Sequence, residues 1–143
     1  MPLKKVSVMV KQGNGFRTEC KVGKHTVIID QPPPAGADAG PTPLDIQLMA
    51  LGGCIAAIGR IIASQRKLEV RGFDITVDGE IDTDKLLGKP TDKRVGFSAI
   101  NVGVKVDADM SAEEKARFVH EIDVRCPISD NLQNTTKVKI AAL

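Results

Sequence analysis

Apolar side chains fall on alternate positions through the N-terminal part of the chain. In "KKVSVMV", Val6, Val8 and Val10 line one face, which predicts a half-buried strand. Asn14–Gly15 is a turn signal, and "FRTECKV" returns as the second arm of a hairpin. A further turn at Gly23–Lys24 leads into "HTVIID", a third strand. Pro and Gly then dominate "QPPPAGADAGPTP", which reads as a loop from about Gln31 to Gly40. What precedes that loop is too small to fold alone, so it is not a linker between domains.

The period then changes from that of a strand to that of a helix. Thr42 is placed to cap, Pro43 suits the first helical position, and Asp45 completes a capping box with Thr42. Leu44, Leu48, Leu51, Ile55, Ile58 and Ile62 follow helical spacing, while Ile46, Met49, Ala50, Ala56, Ala57 and Ile61 fill the other faces. A helix apolar all round is expected to be buried all round. One domain of 143 residues rarely wraps a helix completely, so a second subunit is expected over part of it. Gly52, Gly53 and Gly59 would each cost about 1 kcal/mol against alanine in an exposed helix. They suit places where another backbone comes close, and a homodimer is the economical reading.

Beyond the helix, "FDITVDGEID" alternates at Phe73, Ile75, Val77 and Ile81. "TDKLLGKPTDK" connects it to a long strand, "RVGFSAINVGVKVD", whose phase slips between Ala99 and Ile100. One extra residue swaps the faces of a strand, so a β-bulge is expected there. "SAEEKARFVHEIDV" opens with a capping box at Ser111 and Glu114 and turns Phe118, Ile122 and Val119 inward. A short helical turn led by Pro127 and a last strand around Val138 and Ile140 complete the chain. The order β-β-β-α-β-β-α-β predicts a single α+β domain over residues 1–143, without the glycine motifs of nucleotide binding.

Composition narrows the function. A net charge of +2 from 20 basic and 18 acidic interspersed residues forms no stripe for nucleic acid. The N-terminal segment reads as a strand rather than a signal peptide. The longest apolar run, Leu48 to Ala63, is interrupted by Arg60 and falls short of the roughly 20 residues of a membrane span. Cys20, Cys54 and Cys126 are odd in number and far apart, unlike a secreted disulfide framework. Two histidines, His25 and His120, and no CxxC give a zinc site little support. A soluble cytoplasmic protein with no metal and no cofactor is expected, its histidines facing solvent or a strand edge.

In a reducing compartment cysteines are packed as small hydrophobes or used for their chemistry. Cys126 immediately precedes Pro127 and is expected to cap the helical turn, where the helix dipole and free amides favour a thiolate. Cys54 has the opposite setting: it lies about three turns into an apolar helix, where desolvation raises a thiol pKa. On these grounds Cys126 is the reactive thiol and Cys54 belongs to the core.

The stretch "IIDQP" followed by "GADAGPTPLDIQLMALGGC", and far downstream by "CPISDNL", resembles the OsmC/Ohr family of osmotically induced and organic-hydroperoxide-resistance proteins. The likeness covers nearly the whole chain, and its three motifs stand in the family's order and at its separations. It implies an intertwined homodimer whose central helices pack against each other between sheets from both chains. It also implies a thiol peroxidase in which Cys54 attacks a peroxide and becomes a sulfenic acid. Cys126 then resolves it as a disulfide, which an external dithiol reduces. The family's thiolate-activating arginine corresponds to Arg17, with Arg60 and Arg125 as alternatives, and the glutamate that holds it to Asp45, one position out of register and one methylene shorter. Cys20 has no counterpart in the family and is expected to be structural. The alternative implied function is a redox-sensing or small hydrophobic ligand-binding protein without turnover.

Overall fold

The computed structural model describes residues 2–143, which divide into two compact units, one through Gln47 and the other Leu48–Leu143. The first unit holds three antiparallel strands, β1 (Met9–Gln12), β2 (Thr18–Val22) and β3 (His25–Ile29), in the order β1-β2-β3. Cys20 stands opposite Val10 on one side and Val27 on the other. Gly23 makes the β2–β3 turn with φ +54, a left-handed conformation that glycine adopts without strain.

The connection after β3 is ordered by a buried carboxylate. Asp30 is 1% exposed and accepts from the backbone amides of Gln31 (2.8 Å), Ala37 (3.2 Å) and Ala39 (3.1 Å). Its own amide donates to the Pro41 carbonyl at 3.1 Å. A Cβ at Gly36 would collide with Gln31 and Asp30, and one at Gly40 with the Ile28 carbonyl, so both glycines are sites of close approach.

Helix α1 (Pro43–Arg66) starts where expected. The Thr42 amide and hydroxyl donate to Asp45 Oδ2 at 2.9 and 2.7 Å, and the Asp45 amide donates to Thr42 Oγ1 at 3.3 Å. The helix ends in a Schellman turn, with Lys67 left-handed at φ 53 and the Leu68 amide on the Ala63 carbonyl at 2.8 Å.

In the second unit, β4 (Val70–Ile81) and β5 (Phe97–Ala108) form an antiparallel ribbon, followed by α2 (Ala112–Arg125) and α3 (Pro127–Gln133). Phe73, Ile75, Val77 and Ile81 alternate inward along β4 as the period-two pattern requires. Against them lies the buried stripe of α1: Leu51, Ile55, Gly59, Ile62 and Ala63. Helix α2 closes the core with Phe118 and Ile122, and the rings of Phe73 and Phe118 stack with centroids 6.1 Å apart. Ile62 and Ile122 are both 0% exposed, and each contributes about 1.5–3 kcal/mol of burial. The fold is α+β.

Several sequence expectations change. The phase slip in β5 is real but lies slightly earlier: Glu80 pairs with Ala99 and Ile81 with Phe97, leaving Ser98 as the extra residue. The first strand begins only at Met9, with Val6 and Val8 exposed. The last strand does not form; Val138 and Ile140 are exposed and residues 135–143 carry neither helix nor strand, so the order is β-β-β-α-β-β-α-α. Both over-readings have one cause. Alternation selects a face, but a strand also needs a neighbouring edge to satisfy its amides.

The central helix is one-sided within the single chain. Met49 is 58% and Ile61 45% exposed, and a Cβ at Gly53 would meet nothing within 4 Å. Gly52 and Gly59 face side chains of β4; a Cβ on Gly59 would lie 2.6 Å from Phe73 Cζ and 3.1 Å from Ile122 Cδ1.

Candidate active site

Two cysteines far apart in sequence meet in the core of the second unit. Cys54 sits on α1 beside the buried Ile55, itself partly buried, and Cys126 is 1% exposed at the corner between α2 and α3. Both are free thiols, and Cys126 lies close enough to Cys54 to raise its pKa.

The sequence builds that corner from a proline. Cys126 is at once the C-cap of α2 and the N-cap of α3, with φ −85 and ψ 111. Pro127 takes the first helical position, where an amide would have had no partner in the helix. The next two amides address the two sulfurs. Ser129 N–H donates to Cys126 Sγ at 3.4 Å, and the Ile128 N–H is near enough to Cys54 to favour its anion. Ser129 is buried; its hydroxyl donates to Asp123 Oδ1 and accepts from Gln133 Nε2 at 2.7 Å.

Burial pushes the Cys54 thiol up, and the Cys126 thiol pushes it further, while the Ile128 amide works in the opposite direction. The net direction is upward, as its helical setting implied. The site can hold a sulfur anion on a backbone amide and present a second sulfur beside it.

The arginines on either side of this pair are engaged elsewhere. Arg60 Nη1 donates to the Val70 carbonyl at 2.7 Å, and its guanidinium lies 5.6 Å from the centre of the Phe73 ring. Arg125 Nη1 reaches Glu121 Oε1 at 3.5 Å. In the first unit, Arg17 precedes β2, pairs with Glu19 at 3.6 Å, and its charge helps hold Asp30 below the usual carboxylate range. Asp45 is committed to the helix cap, where the Thr42 hydroxyl and then the Thr42 amide keep its carboxyl below the ordinary value. His25 and His120 are exposed. Sequence reasoning passed over the Ile128 amide and the Asp123–Ser129 bond. The serine three residues after Cys126, in N3 position behind an N-cap, was the available signal.

Comparison with known proteins agrees with this architecture. A family model described as OsmC-like protein matches residues 36–141. A hydroperoxide reductase of Mycoplasma pneumoniae is 26% identical over 98 residues, covering 68% of this chain and 66% of its own length, so the match spans just under two thirds of that relative. The crystal structure of an OsmC-like protein from Mycoplasma pneumoniae superposes with a TM-score of 0.80 at 22% identity, over 92% of this chain and 89% of that one. An organic hydroperoxide resistance protein OsmC from Legionella pneumophila, also described as a predicted redox protein, gives 0.67 at 15% identity, over 93% and 92% of the two chains. At these identities the superpositions speak for the fold, and the family match speaks for kinship. The chain belongs to the OsmC-like protein family.

Proposed function

We propose that the protein is a thiol-dependent peroxidase that reduces organic hydroperoxides or hydrogen peroxide through Cys54 and Cys126. The observation that carries this reading is the juxtaposition of the two free thiols at the start of α3, where the Ser129 amide donates to Cys126 Sγ and the Ile128 amide opposes the rise of the Cys54 pKa. The names of relatives, a hydroperoxide reductase and an organic hydroperoxide resistance protein, support the same substrate class.

The Cys54 thiolate attacks one peroxide oxygen; an S–O bond forms, the O–O bond breaks, and the alkoxide leaves and takes a proton to become an alcohol. Cys126 then attacks the sulfenic sulfur, forming the disulfide as hydroxide leaves and is protonated to water. An external dithiol reduces the disulfide by two exchange steps and is itself oxidised to a disulfide. Cycling of this kind suits a cytoplasmic location. The uncovered face of α1 around Met49, Gly53 and Ile61 suits a second copy of the chain, making a homodimer.

The test is consumption of cumene hydroperoxide and hydrogen peroxide by the reduced protein. The chain has no Trp or Tyr, so a chemical or coupled readout is required. Oxidation orders of magnitude faster than that of free cysteine is expected. A second reading, a redox sensor or hydrophobic ligand-binding protein, draws on the raised Cys54 pKa and on the engagement of Arg60 and Arg125 away from it. Oxidation at the rate of free cysteine would select that reading.

A further inference from the structure

The corner that carries Cys126 is fastened at both ends by one residue. Asp123, on the last turn of α2, accepts the Cys126 amide on its carbonyl at 3.2 Å and the Ser129 hydroxyl on its carboxylate. A carboxylate acceptor makes the second bond the stronger of the two. The hydroxyl also accepts from Gln133 Nε2, so its donor direction is fixed. Ser129 is the residue whose amide reaches Cys126 Sγ, and the preceding amide, that of Ile128, is near enough to Cys54 to work against the rise of its pKa. Rotation of the first turn of α3 would therefore move both amides and the Cys126 sulfur together.

We propose that Ser129 and Asp123 are positioning residues, whose hydrogen bond holds the α2–α3 corner so that the sulfur of Cys126 faces that of Cys54. The role is distinct from capping alone. Asp123 is exposed and water can replace a lost partner, so removing the bond frees the corner without burying an unpaired charge. The inference deepens the proposed function by assigning the step it serves, formation of the Cys54–Cys126 disulfide. That step can be measured without any peroxide.

The experiment equilibrates the reduced full-length protein with oxidised and reduced dithiothreitol. In the exchange the protein's two thiols give up two electrons and two protons to the dithiothreitol disulfide, and the free-thiol count of the protein falls by two. Ser129→Ala is expected to lower the equilibrium constant for disulfide formation about tenfold, equivalent to about 30 mV in a two-electron couple. Ser129→Thr, which keeps the hydroxyl, is expected to restore it, a rescue that a loss of general stability would not give. Asp123→Ala, which removes the acceptor at an exposed position, is expected to shift it in the same direction and carries the test where Ser129→Ala does not fold. Unchanged equilibria in Ser129→Ala or Asp123→Ala, or no recovery in Ser129→Thr, would overturn the proposal. A wild-type protein that reacts with peroxide no faster than free cysteine, but whose disulfide equilibrium still follows Ser129, would remove the peroxidase reading and leave this one standing.

Discussion

The thiol of Cys126 lies against that of Cys54 and, after burial, raises its pKa further. Burial is the larger influence on Cys54, and the neighbouring sulfur adds to it, because two adjacent thiols do not ionise independently. A raised pKa means less thiolate at a given pH. Cys126→Ala removes one of the raising influences, so the pH profile for alkylation of Cys54 by iodoacetamide should move to lower pH. Mass mapping of the alkylated peptide supplies the rate at that site. An unmoved profile would leave burial as the whole cause, and a shift to higher pH would make Cys126 a donor that favours the anion.

The two cysteines should give different kinetic signatures. Cys54→Ser keeps the size of the side chain and removes the nucleophile, so peroxide consumption should fall to background while the fold persists. Cys126→Ser should allow one oxidation, leave a sulfenic acid that dimedone traps on Cys54, and then stall. Turnover in Cys54→Ser with loss in Cys126→Ser would exchange the two roles.

Two glycines of α1 separate packing within the chain from packing against a second copy. Gly59→Ala places a Cβ 2.6 Å from the Phe73 ring, which is itself stacked on Phe118, and overpacking should cost about 1–3 kcal/mol in chemical denaturation. At Gly53 nothing lies within 4 Å, so Gly53→Ala in an isolated chain should gain up to about 1 kcal/mol of helix propensity. Gly53→Leu should dissociate the protein to monomers by light scattering if a second copy covers that face. A wild type that is already monomeric would end the homodimer proposal.

Asp30 should make the fold acid-sensitive. Its carboxyl is held below its ordinary value of 3.8 by the amides of Ala39 and Gln31 foremost. A lowered folded-state pKa contributes stability that is present above the ordinary value and lost as pH falls through the folded one. Asp30→Asn should therefore melt below the wild type at neutral pH, with the difference shrinking as pH drops below 3.8. A difference independent of pH would assign the effect to shape rather than charge.

Helix starts were the most legible part of the sequence, because a cap is a local contract between neighbours. Thr42 with Asp45, Ser111 with Glu114, and Cys126 ahead of Pro127 all stand where their spacing placed them. Strands whose partner lies elsewhere were less legible, as Val6, Val8, Val138 and Ile140 show. The upward shift of Cys54 followed from its helix, but its meeting with Cys126 came only through the family resemblance, since no spacing rule joins residues so far apart. Arg60 was a candidate by sequence proximity to Cys54, yet its reach to Val70 is set by tertiary packing that the sequence does not display. The grip of Asp30 on three amides of the following loop has no motif of its own and was missed for that reason.

Helix α1 has a consequence for biogenesis. It is 24 residues long, so although its unbroken apolar run is shorter, the whole helix matches a membrane-crossing helix by length and composition alone. Yet its covering residues, Val70, Val106, Phe118, Ile122 and Cys126, all follow it in the chain. A ribosome adding about 5–20 residues each second completes the helix several seconds before Cys126 emerges. During that interval the nascent chain displays an apolar segment whose partners in the core have not yet been made. The hazard is one of timing: slow translation between Arg66 and Cys126 would prolong the exposure, and a chaperone that shields α1 until α2 arrives would remove it.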